Sequence, residues 1–321
     1  MSDKTRKVAV IGVGHVGAHV AYSLAVQGIC DELMLVDKNA DKLKAEVQDL
    51  RDAVAYMPHN VRVTAADYGD LADVDVIVNA IGDITLLWHT TERTLEMNFT
   101  VAQVKGYVKK VIDGGFRGVW INISNPCDIV TGVIAELSGL PKGRVFGTGT
   151  CLDTSRLLAQ LALQTGIDHQ SISAYMIGEH GHAQLAAWSC VTFGGVPLAK
   201  LAAKEARFAF DRDELQHKAI MGGWVTMVGK KCTEYGICTT AARMVRVVLG
   251  DEQRIMPAST ELCGEYGEHG VYVGVPCLIG KNGIERVLEL PLSAEEKEKF
   301  HSCCDHVRAN IQAAQQIAAA E

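Results

Sequence analysis

From Lys7 to about Gly149 the chain alternates short apolar runs with longer stretches in which apolar side chains recur at helical spacing. The short runs are KVAVIG (Lys7 to Gly12), ELMLVD (Glu32 to Asp37), VRVTAAD (Val61 to Asp67), VDVIVNAIG (Val74 to Gly82), GVWINIS (Gly118 to Ser124) and RVFGTG (Arg144 to Gly149). Most are continuous in Val, Ile and Leu rather than alternating, which predicts parallel strands buried on both faces. Between them, Asp41 to Ala55 and Thr94 to Ile112 read as helices, the second stopped by Asp113, Gly114 and Gly115. Six strands with helical crossovers predict an α/β fold, a doubly wound parallel sheet of the Rossmann type.

After Gly149 the rhythm changes. A helix is predicted from about Leu152 to Thr165, then two strand-like runs, SISAYMIG (Ser171 to Gly178) and QLAAWSCVTF (Gln184 to Phe193). Helices follow over about Arg212 to Lys230 and Thr233 to Leu249. The segment from Arg254 to Leu290 alternates and carries an Asn282-Gly283 hairpin turn, and a last helix runs from Ser293 to about Ala319. The expectation is a dinucleotide-binding domain over residues 1–149 and an α+β substrate domain over 150–321. With no Pro/Ser-rich linker near Thr150, the two should meet at a packed junction, where ligands tend to bind.

Composition narrows the function classes. Of 321 residues, 48% are hydrophobic and 21% charged, with 7 prolines, so a folded globular chain is expected. Lysine and arginine number 31 against 38 acidic residues, a net charge of −7 with no long run of one sign. Neither nucleic acid nor a membrane surface is an expected partner. Ten cysteines lie between Cys30 and Cys304 without a CxxC pair, which suggests reduced thiols and a cytoplasmic location. Val8 to Cys30 lacks Asp, Glu, Lys and Arg, but Gly12, Gly14, His15, Gly17 and His19 interrupt it, so it reads as neither signal peptide nor membrane span.

Gly12-Val-Gly14-His-Val16-Gly17 follows the first strand, opens a helix-like run, and precedes Asp37 at the end of the next strand by 20 residues. That is the context of a dinucleotide fingerprint. The first glycine permits the turn, the second admits a pyrophosphate to the backbone, and the third lets helix and strand pack closely. A carboxylate at Asp37 suits the ribose hydroxyls of NAD and repels the extra phosphate of NADP. The adjacent Lys38 reads as a solvated turn residue.

Two clusters in the second half carry candidate chemistry. Asp153 and Arg156 stand three apart near a helix start and share a face. His180 and His182 flank Gly181 after an apolar strand. Reducing a 2-oxo acid by hydride transfer requires a carboxylate clamp, which a planar guanidinium supplies, and a proton source titrating near neutrality. Spacing alone leaves His180 and His182 as rivals. It also leaves an Asp153–Arg156 surface ion pair as an ordinary explanation.

Taken together, Gly12 to Gly17, Ser124-Asn125-Pro126-Cys-Asp128, Leu152-Asp153-Thr-Ser-Arg156, Gly178-Glu-His180-Gly and the run around Trp188 resemble the L-2-hydroxy-acid dehydrogenase family of lactate and malate dehydrogenases. Gly82-Asp-Ile-Thr-Leu-Leu, Gln184, Ala187, Ser189 and Tyr235-Gly236 further resemble its L-2-hydroxyisocaproate dehydrogenase branch. The resemblance implies NAD as cofactor, an apolar 2-oxo or 2-hydroxy acid as substrate, no metal, and a homodimer or homotetramer. It implies His180 as proton donor, Asp153 as its partner, Arg156 as clamp, and Arg93 on a mobile loop polarising the carbonyl. Asn125 would touch substrate and nicotinamide, with Ser124 and Gly82 beside the cofactor and Ile237 under the ring. Thr233 and Leu86 would wall the substrate pocket, with Gly236 leaving room for a larger side chain. Asp83 to Glu92 has no Lys or Arg for a second carboxylate, so dicarboxylates are not expected.

Two alternatives are a lactate dehydrogenase of broad specificity and a non-catalytic NAD-sensing module, which would have no need of His180 or Arg156. Bisphosphate-activated relatives carry an arginine two residues after the clamp and a histidine seven before the proton donor. Leu158 and Ser173 stand there. Without those cations a bisphosphate has little to bind, so fructose 1,6-bisphosphate should leave KM for the 2-oxo acid unchanged in steady-state assays; a clear fall on adding it would count against this.

Overall fold

The computed structural model describes residues 5–87 and 93–318, with the backbone alone for residues 87, 93, 94 and 313–318. The first half runs β1 (Lys7–Ile11), α1 (His15–Val26), β2 (Glu32–Val36), α2 (Ala40–Val54), β3 (Arg62–Ala65), β4 (Val76–Asn79), α3 (Arg93–Asp113), β5 (Val119–Asn122), α4 (Cys127–Ser138) and β6 (Val145–Gly147). The second half begins with α5 (Cys151–Thr165) and the short strands β7 (Ile172–Ser173), β8 (Met176–Ile177), β9 (Leu185–Ala186), β10 (Thr192–Phe193) and β11 (Val196–Pro197). It continues through α6 (Leu198–Ala202), α7 (Arg212–Lys230), α8 (Tyr235–Leu249), β12 (Arg254–Cys263), β13 (His269–Gly280), β14 (Gly283–Val287) and α9 (Ala294–Ala318).

The apolar runs form strands because both of their faces are covered. Val8 and Val10 of β1, with Val76 and Val78 of β4, share one core with Val20 and Leu24 of α1 and with Ala241, Val245 and Val248 of α8. The alternate residues Ala9, Ile11, Ile77 and Trp120 face a second core built with Val104 and Val108 of α3 and Ile134 of α4. The parallel order is β3-β2-β1-β4-β5-β6, the doubly wound Rossmann arrangement. Strands β12, β13 and β14 extend the same sheet antiparallel beyond β6, joined through the pair Ser259 and Gly147. A third core holds α5 against α7 through Leu157, Leu161, Leu215 and Ala219.

Several expected elements differ in the structure. The runs from Ser171 and Gln184 become two-residue strands separated by turns rather than two full strands. Their backbone donors are taken elsewhere: Met176 N–H donates to Thr154 Oγ1 at 2.9 Å and Ser189 N–H to Glu296 Oε1 at 2.9 Å. The helix expected from Thr233 begins at Tyr235, because Lys231 closes α7 in the left-handed region (φ 70°) and residues 231–234 form a corner. The expected hairpin is present, with Lys281 and Asn282 between β13 and β14.

The fingerprint glycines are sterically distinct. A Cβ on Gly17 would lie 1.8 Å from the Gly12 carbonyl oxygen, and Gly12 itself sits at φ +90° with Ala80 O 2.9 Å from its would-be Cβ. A Cβ on Gly14 would meet nothing within 4 Å. Gly17→Ala should therefore destabilise the chain by about 2–3 kcal/mol or prevent folding, while Gly14→Ala should cost less than about 1 kcal/mol. Urea unfolding of the two variants checks the order; equal losses would contradict it.

Candidate active site

A cleft of about 430 Å³ opens at the carboxyl ends of the parallel strands, beside the point between β1 and β4 where strand order reverses. Gly14, His15 and Val16 line one end of it. Helix α1 begins there with no acidic residue in its first turn and no side-chain cap, so its leading N–H groups are available to an anion. With open space over Gly14, this cradle fits a pyrophosphate. Asp37 anchors the loop: Oδ2 accepts Val13 N–H at 2.9 Å and Oδ1 accepts Asn39 N–H at 2.9 Å. Lys38 is less free than its exposure suggests, since Nζ donates to Gln103 Oε1 at 2.9 Å.

The floor is set by two asparagines at the ends of β4 and β5, paired in register. Asn79 Nδ2 donates to Asn122 Oδ1 at 2.9 Å and to Ser124 Oγ at 3.0 Å, and Tyr107 donates its hydroxyl to Asn79. Asn122 Nδ2 lies 3.1 Å from Thr131 Oγ1 and 3.2 Å from the carbonyl oxygens of Ser124 and Cys127. This buried network fixes the turn carrying Ser124 and Asn125 into the cleft.

At the other end, Asp153 is 1% exposed in the first turn of α5. Oδ2 lies 2.6 Å from His180 Nδ1, and Oδ1 accepts from Arg156 Nη1 at 2.8 Å. The pair at three-residue spacing is thus a buried ion pair that also holds a histidine. Burial alone would lower the His180 pKa, but the Asp153 charge and hydrogen bond outweigh it and hold it above its ordinary value. Burial works against ionised Asp153 as well, yet His180 and Arg156 pull its pKa below the usual carboxylate range. Glycines on α7 admit the arginine: a Cβ on Gly223 would lie 3.2 Å from both terminal guanidinium nitrogens.

Asp128, which the sequence marked only as part of a motif, supports this group from behind. Its Oδ2 accepts the His180 backbone N–H at 2.9 Å and its Oδ1 accepts the Ser259 hydroxyl at 2.5 Å. Burial pushes its pKa up to about 6 despite those hydrogen bonds. Gly178, at φ +97°, exchanges backbone hydrogen bonds with Gly274 at 2.8 Å, and Glu179 N–H donates to Cys303 Sγ at 3.1 Å. The loop bearing His180 is therefore held by α4, β13 and α9.

Most of the predicted residues converge on this cleft. Gly14, Val16, Gly82, Ser124, Asn125, Asp153, Arg156, His180, Thr233 and Ile237 line it. His182 is exposed and stacks on Trp224, with ring centroids 5.8 Å apart, so geometry selects His180 as the histidine paired to a carboxylate. Leu86 is not among the lining residues. It lies in a tight turn over Ile84–Leu87, where three residues per turn send neighbours in different directions, and Ile84 and Thr85 face the cleft instead. Gly236 offers no spare room, because a Cβ there would lie 2.7 Å from Leu152 Cδ1. Burial pushes the Cys151 thiol up to about 12, which disfavours its thiolate near neutrality. Arg93 begins α3, but its side chain, like all of residues 88–92, lies outside the described residues.

The lactate/malate dehydrogenase NAD-binding domain model matches residues 6–147, and the lactate/malate dehydrogenase alpha/beta C-terminal domain model matches residues 150–318. The chain belongs to the lactate/malate dehydrogenase family. It is 41% identical over 303 residues to an L-lactate dehydrogenase of Fusobacterium nucleatum, covering 94% of each chain. It is 38% identical over 314 residues to L-lactate dehydrogenase 2 of Lactococcus lactis, covering 97% of this chain and 99% of the relative. A crystal structure of the minor L-lactate dehydrogenase of Enterococcus mundtii in its ligands-bound form superposes with a TM-score of 0.91 at 34% identity, covering 96% and 98% of the two chains.

Membership makes the chain an NAD-dependent oxidoreductase acting on CH–OH groups, with activity of the lactate dehydrogenase kind. These relatives carry the name lactate dehydrogenase, which favours the broad-specificity alternative over the L-2-hydroxyisocaproate branch suggested by the loop residues. Because Asp153 raises the His180 pKa, His180 should keep its proton above the pH at which an ordinary imidazole loses it. Asp153→Asn should lower that inflection, read by NMR titration of the imidazole; an unmoved inflection would separate the two residues.

Proposed function

We propose that the chain interconverts 2-oxo acids and L-2-hydroxy acids as an L-lactate dehydrogenase of broad specificity. The sharing of one buried carboxylate between His180 and Arg156, in a cleft whose far end suits a dinucleotide, carries this reading. In it, residues 1–149 hold NAD and residues 150–321 hold the substrate. Gly12, Gly14, Val16 and Gly17 seat the pyrophosphate, Asp37 takes the ribose hydroxyls, and Gly82, Ser124, Asn125 and Ile237 bracket the nicotinamide. NAD, when bound, supplies or accepts the hydride.

The chain's own groups do the rest. Arg156, with Nη1 fixed by Asp153, offers its remaining guanidinium edge to the substrate carboxylate. His180 Nδ1 is engaged by Asp153, so Nε2 serves the cleft. In reduction it gives its proton to the carbonyl oxygen as hydride reaches the carbon, and Asp153 stabilises the imidazolium beforehand. Arg93 would polarise the same carbonyl, and Thr233 and Ile84 would bound the side-chain pocket. A non-catalytic NAD sensor would have no use for this three-residue arrangement.

A second reading, preference for larger apolar 2-oxo acids such as 2-oxoisocaproate or phenylpyruvate, draws on the apolar wall of Ile220, Trp224 and Met227 beside Arg156. Among the described lining residues, Arg156 is the sole arginine or lysine, so a second substrate carboxylate would lack a permanent cation. A homodimer or homotetramer belongs to the proposal, supported by exposed Leu163, Val225 and Val228. So does a cytoplasmic setting, supported by cysteines that are all unpaired. No helix among the described residues is long and apolar enough to cross a membrane.

His180→Asn and Arg156→Lys should each lower kcat/KM by at least about 100-fold while NADH binding, read by fluorescence, persists. Near wild-type turnover in either variant would remove that residue from the mechanism. In a panel of NADH oxidation, pyruvate and 2-oxoisocaproate should both turn over, and oxaloacetate should fall at least about tenfold lower in kcat/KM. A clear lead for 2-oxoisocaproate or phenylpyruvate would favour the second reading, and a lead for oxaloacetate would sink both.

A further inference from the structure

Outside the catalytic group, three metal-ligating side chains from two distant segments of the sequence meet at the mouth of the cleft. His15 opens α1, while Cys232 and Glu234 sit in the corner between α7 and α8. One ligand atom from each lies within 4.8 Å of the other two. We propose that His15, Cys232 and Glu234 form a binding site for a soft divalent cation of the zinc class.

The donor set suits that ion. Imidazole, thiolate and carboxylate are the ordinary ligands of Zn²⁺, and three protein donors leave a fourth position for water. His15 Nδ1 lies 3.5 Å from Glu234 Oε1, and His19 Nδ1 lies 3.9 Å from the same oxygen. Lys230 pairs with Glu234 Oε2, which leaves Oε1 turned towards the two histidines. The His15 side chain is 76% exposed and free to swing inward, whereas Cys232 and Glu234 are buried and fixed. Thiolate and carboxylate supply two negative charges towards the ion, with the carboxylate shared with Lys230.

Local backbone geometry builds the corner. Lys231 adopts φ 70°, a left-handed turn that ends α7 and lets Cys232 and Glu234 face α1 across the cleft mouth. Burial, with the hydrogen bond and charge of Glu234 beside it, pushes the Cys232 thiol up to about 11. In the absence of metal it is therefore protonated. Binding forms one sulfur–metal bond and releases the thiol proton to solvent, one proton for each ion.

Cobalt(II) reports the site directly. Titrating Co²⁺ into the full-length, metal-free protein under a non-thiol reductant should give a near-ultraviolet thiolate-to-cobalt band that saturates at one ion per chain and is abolished by equimolar Zn²⁺. Cys232→Ser should lose the band, and Glu234→Gln should weaken it. His15→Ala changes an exposed side chain and so keeps the fold; it should raise the apparent Kd at least about tenfold. Cys263→Ser, at the exposed thiol elsewhere, should leave the band intact. Zn²⁺ should also raise the unfolding temperature of the wild type more than that of His15→Ala. No band in the wild type, a band that survives Cys232→Ser or vanishes with Cys263→Ser, or wild-type affinity in His15→Ala would overturn the proposal.

Discussion

The buried carboxylate of Asp153 sets the terms for the rest of the site. An isolated ionised carboxylate in a core costs several kcal/mol even after relaxation. At 1% exposure Asp153 is tolerable because each oxygen meets a different cationic partner, Arg156 on one side and the His180 imidazole on the other. The two partners are thereby held at a fixed separation and with fixed edges. On the proposed reading, a clamp for a carboxylate and a proton donor for the neighbouring carbonyl need that fixity more than they need strength. The same contact explains the direction of the His180 shift, since burial favours the neutral imidazole and the nearby anion favours the protonated one.

The other end of the cleft obeys a steric constraint. Helix α1 can approach the turn after β1 only while residue 17 has no side chain, and the turn can form only while residue 12 tolerates φ +90°. Between them the space over Gly14 stays open, and the first-turn N–H groups of α1 are left without side-chain partners. Asp37 ties this loop to the end of β2 through the Val13 N–H. On the proposed reading the same carboxylate would also meet the ribose, linking two recognition tasks through one side chain.

Legibility in the sequence followed the range of each interaction. The parallel strands could be read because burial on both faces writes an unbroken apolar run, and the fingerprint because its glycines act within six residues. His180, Asp153 and Arg156 stood out through local motifs, though their spacing alone left His182 as a rival. Asn79, Asn122 and Tyr107 were missed because their hydrogen bonds close across strands; the available signal was an asparagine ending two otherwise apolar strands, VIVN and VWIN. The segment around Met176 misled because apolar composition is the same whether a backbone N–H pairs with a strand or with the hydroxyl of Thr154. Gly236 misled for a related reason: the side chain that fills its space, Leu152, belongs to another helix.

Ser259 ties the two halves of the chain together behind His180. Its backbone pairs β12 to Gly147 of β6, a register contact by which the antiparallel strands join the parallel sheet. Its hydroxyl holds Asp128 at the start of α4, and the other oxygen of Asp128 holds the backbone of His180. Sliding the second half along the sheet would therefore break the support behind His180. Neutralising Asp128 by protonation would remove charge from the acceptor of the His180 N–H, and its pKa near 6 places that change just below neutrality. The backbone of His180 is thus held by a residue outside the cleft lining and, through it, by a strand pairing far away in sequence.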